Sequence, residues 1–301
     1  MRTFSSFFLL LLAAPVTACH RDIPSLNPPP AAAPPLRPLF LPPDDSLLTE
    51  TVRTSLRHGS APDAREAEMT TVSSFSAEQD SWVLTQRVTR SRYLQEGQPV
   101  ESLVDTVLQR AVLRLRLAAD GTYVRLVEPE AVLAAIREVA PKGLDVTPLE
   151  RFFAPDALEA RTRGEWEVKY GGIYGRAWVP GQRGYVVGTL PVGGREVTYL
   201  LERTLTGTRL TEQGEALVFS LRCLAQPGEA SPQAVRDTLR LAGDPPLTPG
   251  VECDGEQLLG KGRFLPVRRG FTLRASLDGE TWTWATQSTL ESVRALEEEQ
   301  R

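Results

Sequence analysis

Histidine, the usual centre of nucleophilic and metal chemistry, occurs in this 301-residue chain only at His20 and His58. Two such residues, far apart, supply neither a Ser-His-Asp or Cys-His relay nor a histidine-built metal site. No Gly-x-Ser-x-Gly elbow is present. The stretch from Gly255 to Lys261 imitates a phosphate loop, but Gly262 stands where the magnesium-binding Ser or Thr belongs. Its glycines read as turn residues around a strand, and Gly171, Gly172 and Gly175 read as a chain reversal. The pairs Glu128/Glu130 and Glu165/Glu167 have acid–base chemistry in principle. With 38 acidic residues in the chain, however, such spacings arise by coincidence. No catalytic residue, metal or cofactor is expected.

The large rings are the remaining candidates. Trp282 and Trp284 share a face if they lie on a strand, and Trp166 and Tyr170 share a face if they lie on a helix. Two readings stand: packing between sheet and helices, or an apolar or sugar-stacking pocket built from Trp166, Tyr170, Trp282 and Trp284. Of the three cysteines, Cys223 and Cys253 lie deep in the chain. In an oxidising compartment they would form a disulfide around a loop of about 30 residues, contributing roughly 3.5 kcal/mol in the loop-entropy account. Two free buried thiols are the alternative.

The third cysteine has a different setting. Arg2 precedes a short apolar stretch, Phe7 to Ala14, which is followed by Val16-Thr17-Ala18-Cys19. A charged start, a short apolar segment and small residues form a secretory signal, far below the ~20 apolar residues that span a bilayer. The last four residues resemble the lipobox of bacterial lipoproteins. The resemblance implies cleavage before Cys19, a diacylglycerol on its thiol and acylation of the new amino group. Two or three acyl chains at ~0.8 kcal/mol per buried methylene hold far more firmly than a single myristoyl group. The implied partner is a membrane, reached through covalent lipid, in the cell envelope. His20, where an aspartate would resemble an inner-membrane retention signal, favours the outer membrane facing the periplasm.

The expected organisation is a signal peptide over 1–18, a lipidated N-terminus and tether over 19–45, and one globular domain over 46–301. Nine of the twenty residues from Pro24 to Pro43 are proline, which excludes helix and sheet and favours an extended spacer of up to roughly 60 Å. A recognition segment for a partner is the competing reading. The formal charge is -4 and no basic stretch occurs, so nucleic acid is a poor partner. Lysine supplies only Lys142, Lys169 and Lys261 of the 34 basic residues, which reads as the codon bias of a GC-rich genome.

What must position these residues is a sheet-rich domain. Strands are expected over Glu50–Leu56, Glu68–Ser76, Trp82–Tyr93, Tyr123–Val127, Tyr185–Leu190, Glu196–Thr204, Ala216–Leu224, Gln257–Arg263, Phe271–Leu277 and Thr281–Thr289. Val107–Leu117 ends in strict alternation, with Leu113, Leu115 and Leu117 on one face and Arg114 and Arg116 on the other. Asp120-Gly121 and Asp278-Gly279 signal hairpin turns. Helices are expected over Pro129–Val139, over Pro155–Tyr170 with a break at Gly164, and over Pro232–Leu241 after a Ser231 cap. His58 is expected in a loop.

This order excludes alternating βαβ units and gives an α+β fold. The expected form is a predominantly antiparallel, curved, half-barrel-like sheet with about three helices packed on one face. The outline resembles the half-barrels of periplasmic lipid-handling proteins such as the lipoprotein carriers. No motif matches, so no functional residue is carried over. The function expected is non-catalytic binding or scaffolding at the envelope, with a hydrophobic ligand under the sheet. The alternatives are an assembly accessory for another envelope protein and a carboxylate-dependent hydrolase.

Overall fold

Each strand alternates between two environments, and that alternation decides how the sheet sits. In the computed structural model, which describes residues 35–59, 65–192, 194–224, 227 and 232–296, twelve strands form one sheet accompanied by five helices. The strands are β1 (Ser46–His58), β2 (Arg65–Glu78), β3 (Ser81–Gln95), β4 (Gln98–Val100), β5 (Val112–Ala118) and β6 (Tyr123–Val127). They continue with β7 (Arg183–Val192), β8 (Arg195–Thr211), β9 (Gly214–Leu224), β10 (Val251–Gly260), β11 (Pro266–Leu277) and β12 (Glu280–Ala295). The helices are α1 (Leu103–Arg110), α2 (Glu130–Val139), α3 (Thr147–Phe152), α4 (Pro155–Tyr170) and α5 (Gln233–Leu241).

The spatial order is β6-β5-β3-β2-β1-β12-β11-β10-β9-β8-β7, with β4 beside β3. Every pairing between named strands is antiparallel. The sheet is open, and β6 and β7 are its edges. Bulges at Thr49/Glu50, Thr70/Thr71, Leu205/Gly207 and Leu258/Leu259 bend the long strands.

Residues on one face are apolar: Leu48 and Leu56 on β1, Leu84 on β3, Leu115 and Leu117 on β5, Leu201 and Leu205 on β8, and Phe271 and Leu273 on β11 are all buried. Arg114 and Arg116 point the other way and pair with Glu128 and Glu78. The turn before β12 has both Asp278 (φ 52°) and Gly279 (φ 81°) in the left-handed region, as a two-residue hairpin of the primed type requires.

The apolar face carries two clusters. One joins the sheet to α1 through Val104, Val107 and Leu108, to α2 through Val132 and Ile136, and to α4 through Leu158 and Trp166. The other gathers Leu56, Val197, Tyr199, Leu201, Phe271, Leu273 and Trp284 with Val168 of α4. α5 rests on β7.

Five helices, not three, accompany the sheet. α1 was hidden because its spacing (Val104, Val107, Leu108) runs directly into the strand alternation of β5, with Ala111 as the joint. The strand expected from Val107 therefore starts at Val112. α3 has Pro148 in its first turn but only six residues, too few for a clear period. α4 runs unbroken through Gly164, where an added Cβ would meet nothing within 4 Å. His58 ends β1 instead of lying in a loop. Cys19 and Ser231 lie outside the described residues.

The proline-rich segment does not stay clear of the domain up to Pro43. Leu36 and Trp178 exchange backbone hydrogen bonds, both 2.7 Å, the Gly175 amide donates to the Pro38 carbonyl and the Phe264 amide to that of Leu41. Phe40 is 4% exposed. Proline prevents regular structure here but not docking of the apolar side chains between the prolines.

Candidate functional site

The interior is organised around α4. Its first turns lie along the free edge of β6: Glu159 accepts from the Leu126 amide at 2.6 Å, and Arg163 donates to the Val124 carbonyl at 3.2 Å. Side chains of the helix thus occupy backbone groups that an edge strand would otherwise leave open. Its last turn reaches the opposite half of the sheet. There the Arg203 guanidinium donates to the carbonyls of Gly171 (2.6 Å), Glu167 (2.9 Å) and Val168. Arg269 donates to the Val168 carbonyl (3.3 Å), and Gln257 to the Lys169 carbonyl (2.8 Å).

A helix C-terminus has carbonyls without partners and partial negative charge, so buried cations there answer both needs. Arg203 is 2% exposed and Arg269 4%. Burial, with the neighbouring Arg269, lowers Arg203 from the usual guanidinium range, and burial lowers Arg269 as well. Both stay charged, because a guanidinium does not give up its proton under protein conditions.

Between α4, α1 and the strands β1, β2, β3 and β5 a cavity of about 110 Å³ is left open. Its apolar wall includes Leu48, Val52, Phe75, Leu84, Leu113 and Trp166, and its polar end holds Glu50, Glu165 and Lys169. Lys169 donates to Glu165 at 2.7 Å. Burial alone would lower the Lys169 pKa, but Glu165 and Glu50 outweigh it and leave the ammonium raised and charged. Burial, reinforced by Glu50, drives the Tyr170 phenol well above its ordinary range.

Phe40 packs behind the aromatic part of the cavity wall. Its ring meets those of Phe75, Trp166 and Phe264, all three of them cavity residues, with centroids 6.1, 6.1 and 4.9 Å away.

The four rings singled out in the sequence are therefore divided. Trp166 and Tyr170 stand together (4.6 Å) at the cavity. Trp282 and Trp284 share the interior face but belong to the second cluster, so the four do not build one pocket. Trp284 is 1% exposed, and Trp282 stacks on His58 at 4.1 Å beside a His58–Glu280 contact of 2.7 Å.

Cys223 and Cys253 are joined in a disulfide that ties β9 to β10. Glu165 and Glu167 separate on the helix, Glu165 towards Lys169 and Glu167 against Arg203, and burial raises the Glu167 carboxyl. Lys261 pairs with Glu215, and Glu128 with Arg114. Among the described residues no group of three or more His, Cys, Asp or Glu side chains is placed to hold a metal ion.

Sequence reasoning missed Arg203, Arg269 and Phe40. A signal was present for the arginines: each falls on the apolar phase of its strand, Arg203 between Leu201 and Leu205, and Arg269 before Phe271 and Leu273. A charge at such a position needs a buried partner.

No family model matches the chain, and no curated protein does. Three solved structures align along most of it at low similarity. A protein from Bacteroides fragilis NCTC 9343 assigned as exported, with a YmcC-like fold, is 9% identical over 87% of this chain and 100% of its own (TM-score 0.28). A DUF1329 family protein from Desulfovibrio piger ATCC 29098 is 7% identical over 82% and 86% (TM-score 0.25). A domain from Vibrio parahaemolyticus assigned to outer membrane lipoprotein sorting is 10% identical over 83% and 85% (TM-score 0.21). At these scores nothing about the site or its function is transferred from them.

Proposed function

We propose that this chain is an envelope lipoprotein, anchored through Cys19 in the outer membrane, whose domain binds the apolar chain of a ligand without catalysing a reaction. The observation that carries the reading is the opening between α4 and the sheet, walled by Leu48, Val52, Leu84 and Leu113 and ended by the Glu165–Lys169 pair. An apolar wall with a few convergent polar groups is the usual form of a ligand site. At about 110 Å³ the opening lies below the ~300–1,000 Å³ of typical sites. Entry of a long chain therefore requires the packing of α4 on the sheet to open.

The test is native mass spectrometry of the Cys19→Ser variant, exported with its own signal but unable to take the covalent lipid. A mass excess removed by organic solvent supports the reading, and its chemistry identifies the ligand. A bare mass in repeated preparations overturns it and leaves the assembly-accessory reading. Mass analysis of the N-terminal peptide of the unaltered protein tests the lipid on Cys19 separately.

A further inference from the structure

The face turned away from α4 is also concave. Across β3, β2, β1, β12, β11, β10, β9, β8 and the start of β7 it forms an open trough of about 1590 Å³. That is larger than the ~300–1,000 Å³ of small-molecule sites and calls for an extended occupant. The floor is made of short, mostly hydroxylated residues, among them Ala285, Gly270, Thr272, Thr283, Ser220 and Thr204. Seven arginines and five carboxylates line it, an excess of two positive charges on a chain whose formal total is -4.

Four of those arginines are already engaged: Arg53 and Arg92 on Glu68, Arg183 and Arg222 on Glu202. Arg57, Arg268 and Arg274 have no acidic partner among the described residues. Arg57 is opposite Thr283 in register, and Thr283 is opposite Arg274, so the two guanidiniums flank one hydroxyl. Their backbones lie two strand spacings apart, roughly 10 Å. Glu252 stands across from Arg274 on β10 without closing an ion pair. One row further along, Thr272 is 1% exposed on the floor and its Oγ1 has no hydrogen-bond partner. An orphaned buried hydroxyl on the floor of an arginine-walled trough is a donor awaiting an acceptor.

We propose that this trough binds an extended acidic glycan, a hydroxylated chain carrying carboxylate or phosphate groups. Charge complementarity selects an anion: Glu66 and Asp254 in the trough also lack an ion pair among the described residues, but guanidiniums outnumber carboxylates by two, and the planar forks of Arg57, Arg268 and Arg274 match carboxylate and phosphate oxygens. The floor selects a hydroxylated chain, since Thr272, Thr283, Ser220 and Thr204 exchange hydrogen bonds with hydroxyls at every step. A protein partner is disfavoured because no aromatic ring among the described residues lines the trough to serve as an anchor pocket, and nucleic acid because none of them offers a ring for bases to stack on. The acidic remainder of the molecule repels polyanions, so binding is confined to this face.

The test is calorimetric titration of the full mature chain in detergent micelles with three probes of equal length: oligogalacturonate, a phosphorylated dextran and a neutral dextran. Oligogalacturonate or the phosphorylated dextran should bind, more weakly as salt rises, while the neutral chain should not; the preferred probe tells carboxylate from phosphate. The double variant Arg57→Gln/Arg274→Gln should lose about tenfold or more in affinity. Arg110→Gln/Arg125→Gln, which removes the same charge away from the trough, should bind as the parent does. Thr272→Val, close in shape, should weaken binding severalfold without lowering the melting temperature. Equal losses in the two double variants would reduce the effect to bulk charge and overturn the proposal. So would equal binding of the neutral chain, or no binding of either anionic probe by a protein that melts cooperatively.

Discussion

Replacing Phe40 by alanine tests whether the end of the proline-rich segment is part of the fold. The ring is 4% exposed and meets four others, those of Phe75, Trp166, Tyr174 and Phe264. A Cβ placed on Gly121 would fall 2.5 Å from it, so that glycine forms part of the ring's seat. Truncating a buried phenylalanine costs about 3–5 kcal/mol, the spread reflecting how far the site collapses. Three of the surrounding rings, Phe75, Trp166 and Phe264, also border the cavity, so loss of Phe40 should loosen that wall as well. For a domain of this size about 2–4 °C is lost per kcal/mol, which gives a fall in melting temperature of roughly 6–20 °C.

The assay is thermal unfolding followed by near-ultraviolet circular dichroism, with binding of an anilinonaphthalene dye measured well below the transition. The Phe40→Ala protein should melt early and take up more dye than the parent. Phe40→Leu should recover most of both properties. Gly121→Ala should reproduce the defect from the other side of the contact, since the ring and the new methyl group cannot share the space. A fall of less than about 2 °C in Phe40→Ala would mean that Phe40 contributes little to the folded state, and the view that this segment is part of the fold would be refuted.

Other predictions concern the interior. Arg203→Met should destabilise the protein by about 3–5 kcal/mol in denaturant titration, because three carbonyls of the α4 terminus lose a charged donor away from water. Arg183→Gln, whose exposed guanidinium is one of two on Glu202, should cost no more than about 1 kcal/mol; similar losses in both would refute the special role of the α4 terminus. Burial raises the Asp105 carboxyl despite a hydrogen bond from Ser91. Its contribution to stability is therefore greatest below the unfolded carboxylate pKa and declines as pH rises through the folded value. Asp105→Asn should stabilise the protein at neutral pH and flatten that decline; an unchanged difference between the two proteins from acid to neutral pH would refute the assignment. Cys223→Ser/Cys253→Ser should lose roughly 3.5 kcal/mol, from a sequence separation of 30, and the same loss should follow reduction of the parent.

Where one physical period governs a segment, the sequence is legible. Leu113, Leu115 and Leu117 alternate with Arg114 and Arg116, and the structure buries the last two leucines while pairing both arginines outside. The Asp-Gly turns and the start of α2 after Pro129 are legible for the same local reason. Legibility fails where two periods meet or where a distant partner decides. α1 and β5 abut at Ala111, and a single alternating reading swallows the helix. Gly164 looks like a helix break, worth about 1 kcal/mol against alanine, but burial of Leu158 and Trp166 on either side outweighs it. The site was legible only in part. Trp166 and Tyr170 were found, but their separation from Trp282 and Trp284 depends on where α4 crosses the interior, which no local pattern encodes.

That crossing also accounts for the interior's division into two clusters. Sheet and helix alone would bury only apolar surface, but α4 ends inside, with its last carbonyls against β8, β10 and β11 instead of in water. Buried cations are then required, and Arg203 and Arg269 interrupt the apolar rows of their strands to supply them. The helix is thereby held at both ends, by Glu159 and Arg163 on the β6 edge and by these arginines opposite. Between Arg163 and the held carbonyls, the first of them that of Glu167, lie Glu165 and Trp166, both of which line the cavity. A ligand that entered there would work against the contacts that fix the helix ends. Loss of Arg203 should therefore weaken the fold and ease entry together, whereas loss of Phe40 should loosen the aromatic wall behind Phe75, Trp166 and Phe264 while leaving both holds in place.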